Sequence, residues 1–364
     1  MNTVAAHIRS IIKSDGPIPI AEFMRIALTG CADSYYMRSD PIGLSGDFIT
    51  APEISQVFGE CVGLWCVDIW TKLGSPAAFT LVELGPGRGT LMRDVLRAAR
   101  VAPDFLSAAT VALVEVSPAL RRVQAALFRS NGLPNVRWYN GFQDICAAEP
   151  LIVIANEFFD ALPVVQFVKM HEGWASRTVG LNDAGDLILG AQPNVQASAC
   201  VPVKLLDAPI GSIFERSIER ENVARAIATV IQKAGGGALV IDYGFEGPAL
   251  GDSLQAVKGH RYADILMEPG MVDLTSHVDF TALADAFAGG GASVSKITTQ
   301  AGYLTQLGAV ERTQILKRSA SEQQKAQLES ALNRLTSADA MGTLFKVLCA
   351  VSSQAIQPAG FEAE

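Results

Sequence analysis

The sequence has few of the residues that build metal centres and disulfide frameworks. It contains six cysteines and four histidines in 364 residues, and no two cysteines form a C-x-x-C pair. Scattered cysteines of this kind indicate reduced thiols in a reducing compartment rather than a disulfide scaffold or a zinc site. His260 and His277 share one polar stretch, but they lack cysteine partners and are too few to predict a metal site.

Long hydrophobic runs and an excess of positive charge are also missing. No apolar stretch reaches the roughly 18 residues that a membrane span requires, and residues 1–10 lack the hydrophobic segment of a signal peptide. The formal net charge of −8 argues against sequence-independent binding of nucleic acids. With 49% hydrophobic residues, the composition predicts a compact α/β enzyme.

The densest chemical signal is residues 81–91, Leu-Val-Glu-Leu-Gly-Pro-Gly-Arg-Gly-Thr-Leu. An apolar run ends in Glu83, and Gly85, Gly87 and Gly89 follow before a helical pattern. This order predicts a buried parallel strand that turns sharply into a helix. Glycine allows the turn and a close approach of the backbone to a ligand, and the helix start offers amide donors. A glycine-rich turn without a ligand is the alternative.

The glycine pattern separates the cofactors that such a turn can bind. A dinucleotide fingerprint requires glycine where Thr90 stands, and a phosphate loop requires a lysine that residues 88–90 lack. An acid two residues before G-x-G-x-G is typical of Rossmann-like S-adenosylmethionine (SAM) methyltransferases. SAM carries no phosphate, so the helix start would meet its carboxylate while Glu83 holds its ammonium group. Pro86, between the first two glycines, belongs to the same expected site.

Polar residues at the ends of the next two predicted strands complete the expected cofactor site. The strand at 110–116 ends in Glu115, which can accept two ribose hydroxyls; the alternative is a solvated acid. The strand at 136–139 is followed by Phe142 and Asp144. In this position an aromatic ring and an acid commonly bracket adenine, and an ordinary turn is the alternative.

The fourth predicted strand, residues 151–155, runs into a second dense stretch, Asn156-Glu157-Phe158-Phe159-Asp160-Ala161-Leu162-Pro163. Methyltransferases that act on nitrogen place an Asn or Asp with aromatics here, so Asn156 is expected beside both cofactor and acceptor. Glu157 and Asp160 lie three residues apart, on one face if the turn is helical. Paired carboxylates suit a guanidinium; a solvated turn is the alternative.

The remaining segments predict the domain organisation. Residues 1–78 are expected to form a helical region whose polar loop, with Gly46, Thr50 and Glu53, closes over the cofactor as a lid. Residues 79–163 and 237–364 form the Rossmann-like core, ending in helices that include 341–351. Residues 164–236 insert antiparallel strands and a helix over 213–233, for substrate recognition or for a homodimer surface. His277 with Asp279 could shuttle a proton or be structural.

With these segments placed, the sequence strongly resembles the MidA family of SAM-dependent methyltransferases, which includes a mitochondrial complex I assembly factor known as a protein arginine methyltransferase. The resemblance rests on residues 46–55, 83–89, 156–163, 273–280 and 341–346. It departs from the family at residues 33–36, where the family tends to have glycine before the tyrosine pair. Because the similarity begins within the first dozen residues, we expect a bacterial cytoplasmic member.

The resemblance implies a methyltransferase that modifies arginine in a protein, such as a subunit of respiratory complex I. In that function Asn156, Glu157, Asp160 and His277 are the candidate catalytic residues, and no metal is expected. Three alternatives stay open: a SAM-binding assembly chaperone with little catalysis, a methyltransferase for a small molecule, and a nucleotide-dependent dehydrogenase, which Thr90 disfavours.

Overall fold

The structure is a computed structural model that describes residues 3–38, 50–132, 135–146, 148–194 and 196–361. Its first half has this order: α1 (Thr3–Asp15), β1 (Ile18–Pro19), α2 (Ile20–Arg25), a π-helical turn (Ile26–Gly30), α3 (Tyr35–Arg38), α4 (Ala51–Ile54), α5 (Gln56–Lys72), β2 (Phe79–Leu84), α6 (Thr90–Ala98), a 3-10 turn (Ala99–Val101), α7 (Pro103–Ala108), β3 (Ala109–Val114), α8 (Pro118–Ser130), β4 (Val136–Tyr139), a 3-10 turn (Phe142–Asp144) and β5 (Leu151–Asn156).

The second half begins with the predicted insertion and then returns to the core. Its elements are β6 (Val165–Met170), β7 (Gly173–Leu181), β8 (Leu187–Pro193), α9 (Ala197–Cys200), a 3-10 turn (Val203–Leu205), β9 (Ile213–Arg216), α10 (Ile218–Ala234), β10 (Gly236–Phe245), β11 (Gln255–Lys258), β12 (Arg261–Ala263), β13 (Asp273–Thr275), β14 (Val278–Asp279), α11 (Phe280–Gly289), β15 (Ser293–Val294), β16 (Thr298–Thr299), α12 (Gln300–Gln306), α13 (Ala309–Lys317), α14 (Glu322–Thr336), α15 (Met341–Leu344) and β17 (Phe345–Val351).

A central sheet organises the molecule, in the order β15, β17, β10, β5, β2, β3, β4. Strands β10, β5, β2, β3 and β4 are parallel, and β17 is antiparallel to β10. Successive residues of a strand point to opposite faces. In β2, Leu81 therefore packs into one hydrophobic cluster with α5 and α6, while Val82 and Leu84 pack into another with α10 and α11. Burial on both faces explains why these strands are continuous apolar runs. The predicted Rossmann-like α/β sheet is confirmed.

The inserted strands form a second, antiparallel sheet in the order β1, β7, β6, β9, with β8 also paired to β7. Its first strand, β1, comes from the N-terminal region, where Ile18 lies opposite Val179. Helices α1 and α2 share a hydrophobic cluster with this sheet and with β11 and β13. The N-terminal segment and the insertion are therefore physically joined beside the carboxyl ends of the central strands.

Two predicted helices differ in the structure. The helix expected over 213–233 begins only at Ile218, because residues 213–216 form β9 and pair with β6. The helix expected over 341–351 is one turn, and residues 345–351 form β17. Burial at almost every position of 345–351 suits a central strand better than a helix with one apolar face. No helix in the described ranges is both long and apolar enough to span a membrane.

Candidate active site

A cavity of about 340 Å³ lies at the carboxyl ends of β2, β3 and β5. Ligands of open α/β sheets bind at this edge, where the parallel strands end and their connections diverge. The walls are residues 25, 28, 29, 36, 50, 52, 53, 83–88, 90, 91, 114–116, 120, 140–143, 156–158, 161–163, 219 and 223. The cavity is thus shared between the central sheet, the N-terminal segment and the first turns of α10.

The glycine turn forms the floor of the cavity. Gly85 and Gly87 line it with φ of +61° and +52°, a region that favours glycine. A Cβ on Gly85 would lie 3.0 Å from Phe158 Cδ2, so a side chain at this position would fit only if the Phe158 ring shifted. Pro86 also lines the cavity. Gly89 does not, contrary to expectation: it precedes α6 with φ of +84° and lies against the ring of Phe128.

Glu83, at the penultimate position of β2, is a buried acid in the cavity wall. Its side chain is 3% exposed, and burial raises its pKa to about 8. Oε2 of Glu83 has no hydrogen-bond partner among the described residues. A buried oxygen without a donor is costly unless a ligand supplies one. The position fits the ammonium group that the sequence assigned to it.

Glu115 follows the last residue of β3 and also lines the cavity. Its Oε1 accepts from the Ser117 amide at 2.8 Å, and its Oε2 accepts from Gln124 Nε2 at 3.3 Å. Burial raises its pKa to about 7. Each oxygen has a second lone pair available, so the carboxylate is held in place with capacity to accept from a pair of hydroxyls.

The expected adenine site is only partly present. Phe142 is buried and lines the cavity, but the Asp144 side chain is exposed and lies outside it. Asp144 Oδ2 accepts from the Gly141 amide at 3.0 Å, because the 3-10 turn brings the carboxylate back over its own first residue. Gln143, which the sequence did not single out, occupies the cavity wall instead.

Asn156 is the last residue of β5 and Glu157 follows it, and both line the cavity. Asn156 is 8% exposed, its Nδ2 donates to Glu157 Oε1 at 3.2 Å, and its Oδ1 has no partner among the described residues. Glu157 Oε1 also accepts from the Ala51 amide at 3.0 Å, and burial raises the Glu157 pKa to about 7. The Glu157 backbone has φ of +48°, a strained value for this residue.

Glu157 lines the cavity, but Asp160 does not. The prediction that these two carboxylates form a pair, which was based on their spacing of three residues, is therefore wrong. Asp160 Oδ2 accepts from the Tyr243 hydroxyl at 2.7 Å, and its Oδ1 has no partner among the described residues. The residues between these two acids are not helical, so a spacing of three does not place them on one face. Asp160 lies behind the wall residues, where burial raises its pKa.

His277 lies outside this cavity, which contradicts a direct catalytic role there. It borders a separate groove of about 520 Å³, with its ring edge-on to Tyr243 at 5.3 Å between centroids. Burial and the Arg220 charge lower its pKa. Asp279, its expected partner, instead caps α11 by accepting from the Thr281 and Ala282 amides at 3.0 and 3.1 Å.

The segment before α5 reaches the cavity as expected of a lid, although Gly46 lies outside the described residues. Thr50, Pro52 and Glu53 are wall residues, and Glu53 accepts a hydrogen bond from the Thr90 hydroxyl. Thr50 precedes α4, but its side chain makes no capping bond. The Glu157 carboxylate accepts from the first amide of α4 instead.

Several wall residues come from parts of the chain that the motifs did not indicate. Tyr36 lines the cavity, and its hydroxyl donates to Asp273 Oδ1 at 2.9 Å. Glu219 and Val223, one turn apart on α10, line it from the insertion. In the sequence near Tyr36, only the tyrosine pair at residues 35 and 36 could have indicated that Tyr36 belongs to the site. Among the described residues no group of three or more His, Cys, Asp or Glu side chains is placed to hold a metal.

The residues present fit SAM. The glycine turn leaves room for a ligand to meet the backbone, and the unpaired Glu83 oxygen suits an ammonium group. Glu115 suits a ribose, and Phe142 with Leu120 offers apolar surface for a base. Of the residues expected to bind the cofactor, Asp144 and Gly89 do not line the cavity, and Gly46 lies outside the described residues.

Comparisons with known proteins agree with this geometry. A family model for S-adenosyl-L-methionine-dependent methyltransferases matches residues 61–298. Curated relatives named protein arginine methyltransferase NDUFAF7, mitochondrial, include those of Danio rerio, 34% identical over 94% of this chain and 86% of the relative, and Homo sapiens, 32% identical over 96% and 84%. The Drosophila melanogaster homologue is 37% identical over 95% and 84%.

A solved structure also matches nearly the whole chain. A Burkholderia thailandensis protein bound to S-adenosyl-homocysteine superimposes with a TM-score of 0.87, at 28% identity, over 98% of this chain and 93% of that one. The expectation of a bacterial cytoplasmic protein is wrong, because the curated relatives are named as mitochondrial. It had depended on where the similarity begins, and the first residue of a sequence does not decide its compartment. The chain belongs to the MidA family of SAM-dependent methyltransferases.

Proposed function

We propose that the enzyme methylates a guanidinium nitrogen of arginine in a protein substrate. The observation that carries this proposal is the set of hydrogen-bond acceptors beside the glycine turn. Asn156 Oδ1 is buried without a donor, and the Glu157 carboxyl group lies next to it. A guanidinium brings several N–H donors and a positive charge, so it satisfies both groups at once. The names of the curated relatives support the same substrate class.

The chemistry divides between cofactor and protein. Bound SAM supplies a methyl group on a positively charged sulfur. Ionised Glu157 attracts the guanidinium, and Asn156 Oδ1 orients one of its N–H groups, so that a nitrogen is aligned for attack. Methylation also requires the guanidinium to lose a proton. Glu157, with a pKa raised to about 7 by burial, has the basicity to accept one near neutral pH.

The other untested assignments form part of the proposal. Glu83, Gly85, Pro86 and Gly87 bind the methionyl end, and Glu115 binds the ribose. The region 164–236, joined to the N-terminal segment, recognises the protein substrate. The family resemblance suggests a subunit of respiratory complex I as that substrate.

The test compares the wild type with Glu157→Gln. Gln keeps one carbonyl oxygen for the Ala51 and Asn156 contacts, but it cannot carry charge or take a proton. We expect S-adenosylhomocysteine (SAH) affinity within twofold of wild type and a loss of methyl transfer of about 100-fold or more. Tritiated SAM is incubated with cell extract, and the labelled protein is hydrolysed and analysed for methylarginine.

Glu149→Gln is the matched control, because Glu149 is exposed and outside the cavity; it should retain full activity. Undiminished labelling by Glu157→Gln contradicts the role of Glu157. SAH binding without any label in wild type would favour an assembly chaperone. Label confined to small molecules would favour a methyltransferase for a small molecule.

A further inference from the structure

The loop after β5, residues 157–163, is held by bonds to distant parts of the chain. The Phe159 and Asp160 amides both donate to Asp242 Oδ2, at 3.0 and 3.2 Å. Asp242 is fully buried on β10. The Glu157 amide donates to a backbone carbonyl of the same strand at 2.9 Å. The backbone N–H groups of the loop are therefore held by the central sheet.

The carbonyl side of the loop is held by a single guanidinium. Arg220, in the first turn of α10, is 6% exposed. Its Nε donates to Phe159 O at 2.6 Å, and its Nη2 donates to Asp160 O at 3.0 Å and Leu162 O at 3.4 Å. A planar group with several N–H donors can reach the carbonyls of three residues in one loop at the same time.

The same side chain also holds a second segment. Its Nη2 donates to Ser276 O at 3.0 Å and to Ser276 Oγ at 2.6 Å, and its Nη1 donates to His277 O at 2.7 Å. The Ser276 amide in turn donates to Asp160 O at 3.1 Å. Arg220 thus connects the loop, the insertion helix and the strand that follows Ser276 into one rigid unit.

We propose that Arg220 is a positioning residue for methyl transfer. It is not a wall residue of the cavity; it acts through the backbone of residues 157–163. Glu157, at the start of that loop, has φ of +48°, and such a conformation persists only where its surroundings fix it. Without the guanidinium the loop relaxes and the Glu157 carboxylate leaves its place. This inference rests on the proposed role of Glu157 in holding the acceptor.

The test uses Arg220→Lys, with Ser276→Ala as a milder variant that removes a single contact of the guanidinium. Lysine keeps the charge but cannot reach all the carbonyls. For Arg220→Lys we expect kcat to fall by about 100-fold, the effect of a small misplacement at a reacting centre. SAH affinity should stay within twofold, and amide exchange of residues 157–162 should accelerate. Ser276→Ala should shift kcat and loop exchange in the same direction by a smaller factor.

The matched control is Arg318→Lys. Arg318 is exposed, lies outside the region 164–236 and is not a wall residue of the cavity; its replacement should leave kcat unchanged. Unchanged kcat in Arg220→Lys overturns the proposal. So does a parallel loss of kcat, SAH affinity and protection across the whole protein, which marks a purely structural residue. If Arg220→Lys does not fold, unchanged kcat in Ser276→Ala overturns it.

The methylated residue separates this inference from the proposed function. If amino-acid analysis finds the label on a residue other than arginine, the proposed substrate class fails. The ratio of kcat between Arg220→Lys and wild type still decides the role of Arg220.

Discussion

Binding of SAH should strengthen with pH because of Glu83. The folded protein without ligand holds this carboxyl group protonated below a pKa of about 8, since the group is buried. An ammonium group beside Oε2 favours the ionised form, so binding releases a proton from Glu83. Below that pKa, raising the pH by one unit should therefore increase the affinity for SAH by up to a factor of ten, or about 1.4 kcal/mol of binding free energy. Between pH 6 and pH 7 we expect the Kd to fall about ninefold.

Isothermal titration calorimetry at the two pH values measures this change, and buffers of different ionisation enthalpy measure the proton released. Glu83→Gln cannot ionise and keeps the shape of the side chain, so its affinity should depend less on pH than that of wild type. Any dependence that remains in the variant reports on Glu115 and Glu157, the other wall acids whose pKa is raised to about 7. Equal Kd values at pH 6 and pH 7 in wild type would refute the reasoning. So would a ratio of these two Kd values that is the same in wild type and in Glu83→Gln.

Two further substitutions test the packing. Gly85→Ala should weaken SAH binding by about tenfold or more, because the new Cβ lies 3.0 Å from Phe158 at a positive φ. Gly16→Ala is its control, because the φ of Gly16 is also positive but no atom would lie within 4 Å of the new Cβ. The SAH affinity of this variant should not change. Equal losses of SAH affinity in the two variants would contradict the steric argument. Tyr303→Phe should raise the free energy of unfolding by about 1 kcal/mol in urea titrations, because the buried hydroxyl has no partner among the described residues; a destabilised variant would reveal a bond.

The local part of the site could be predicted because its chemistry is contiguous in the sequence. Gly85 and Gly87 stand between a buried strand and a helix, and the turn they form requires positive φ whatever the rest of the chain does. Glu83 and Glu115 lie at or beyond the ends of parallel strands, which meet at one edge of the sheet.

The predictions that failed concern polar side chains, of which only some line the cavity. Asp144 bonds to its own turn, and Asp160 bonds to Tyr243, 83 residues away. His277 packs against the same tyrosine on the far side of the wall. Each of these side chains is a reasonable ligand by type and spacing. Which of them faces the cavity depends on partners that local periodicity does not indicate.

The sequence by itself determined the sheet, the glycine turn and the cofactor, because strand burial and backbone conformation are set by neighbouring residues. Only the tertiary structure decided that Tyr36 enters the wall and that Arg220 and Asp242 hold the loop carrying Glu157. These residues come from the N-terminal segment, the insertion and the fifth parallel strand of the sheet. Hydrogen bonds between segments so far apart form only when the chain has packed, so no pattern along the sequence contains them.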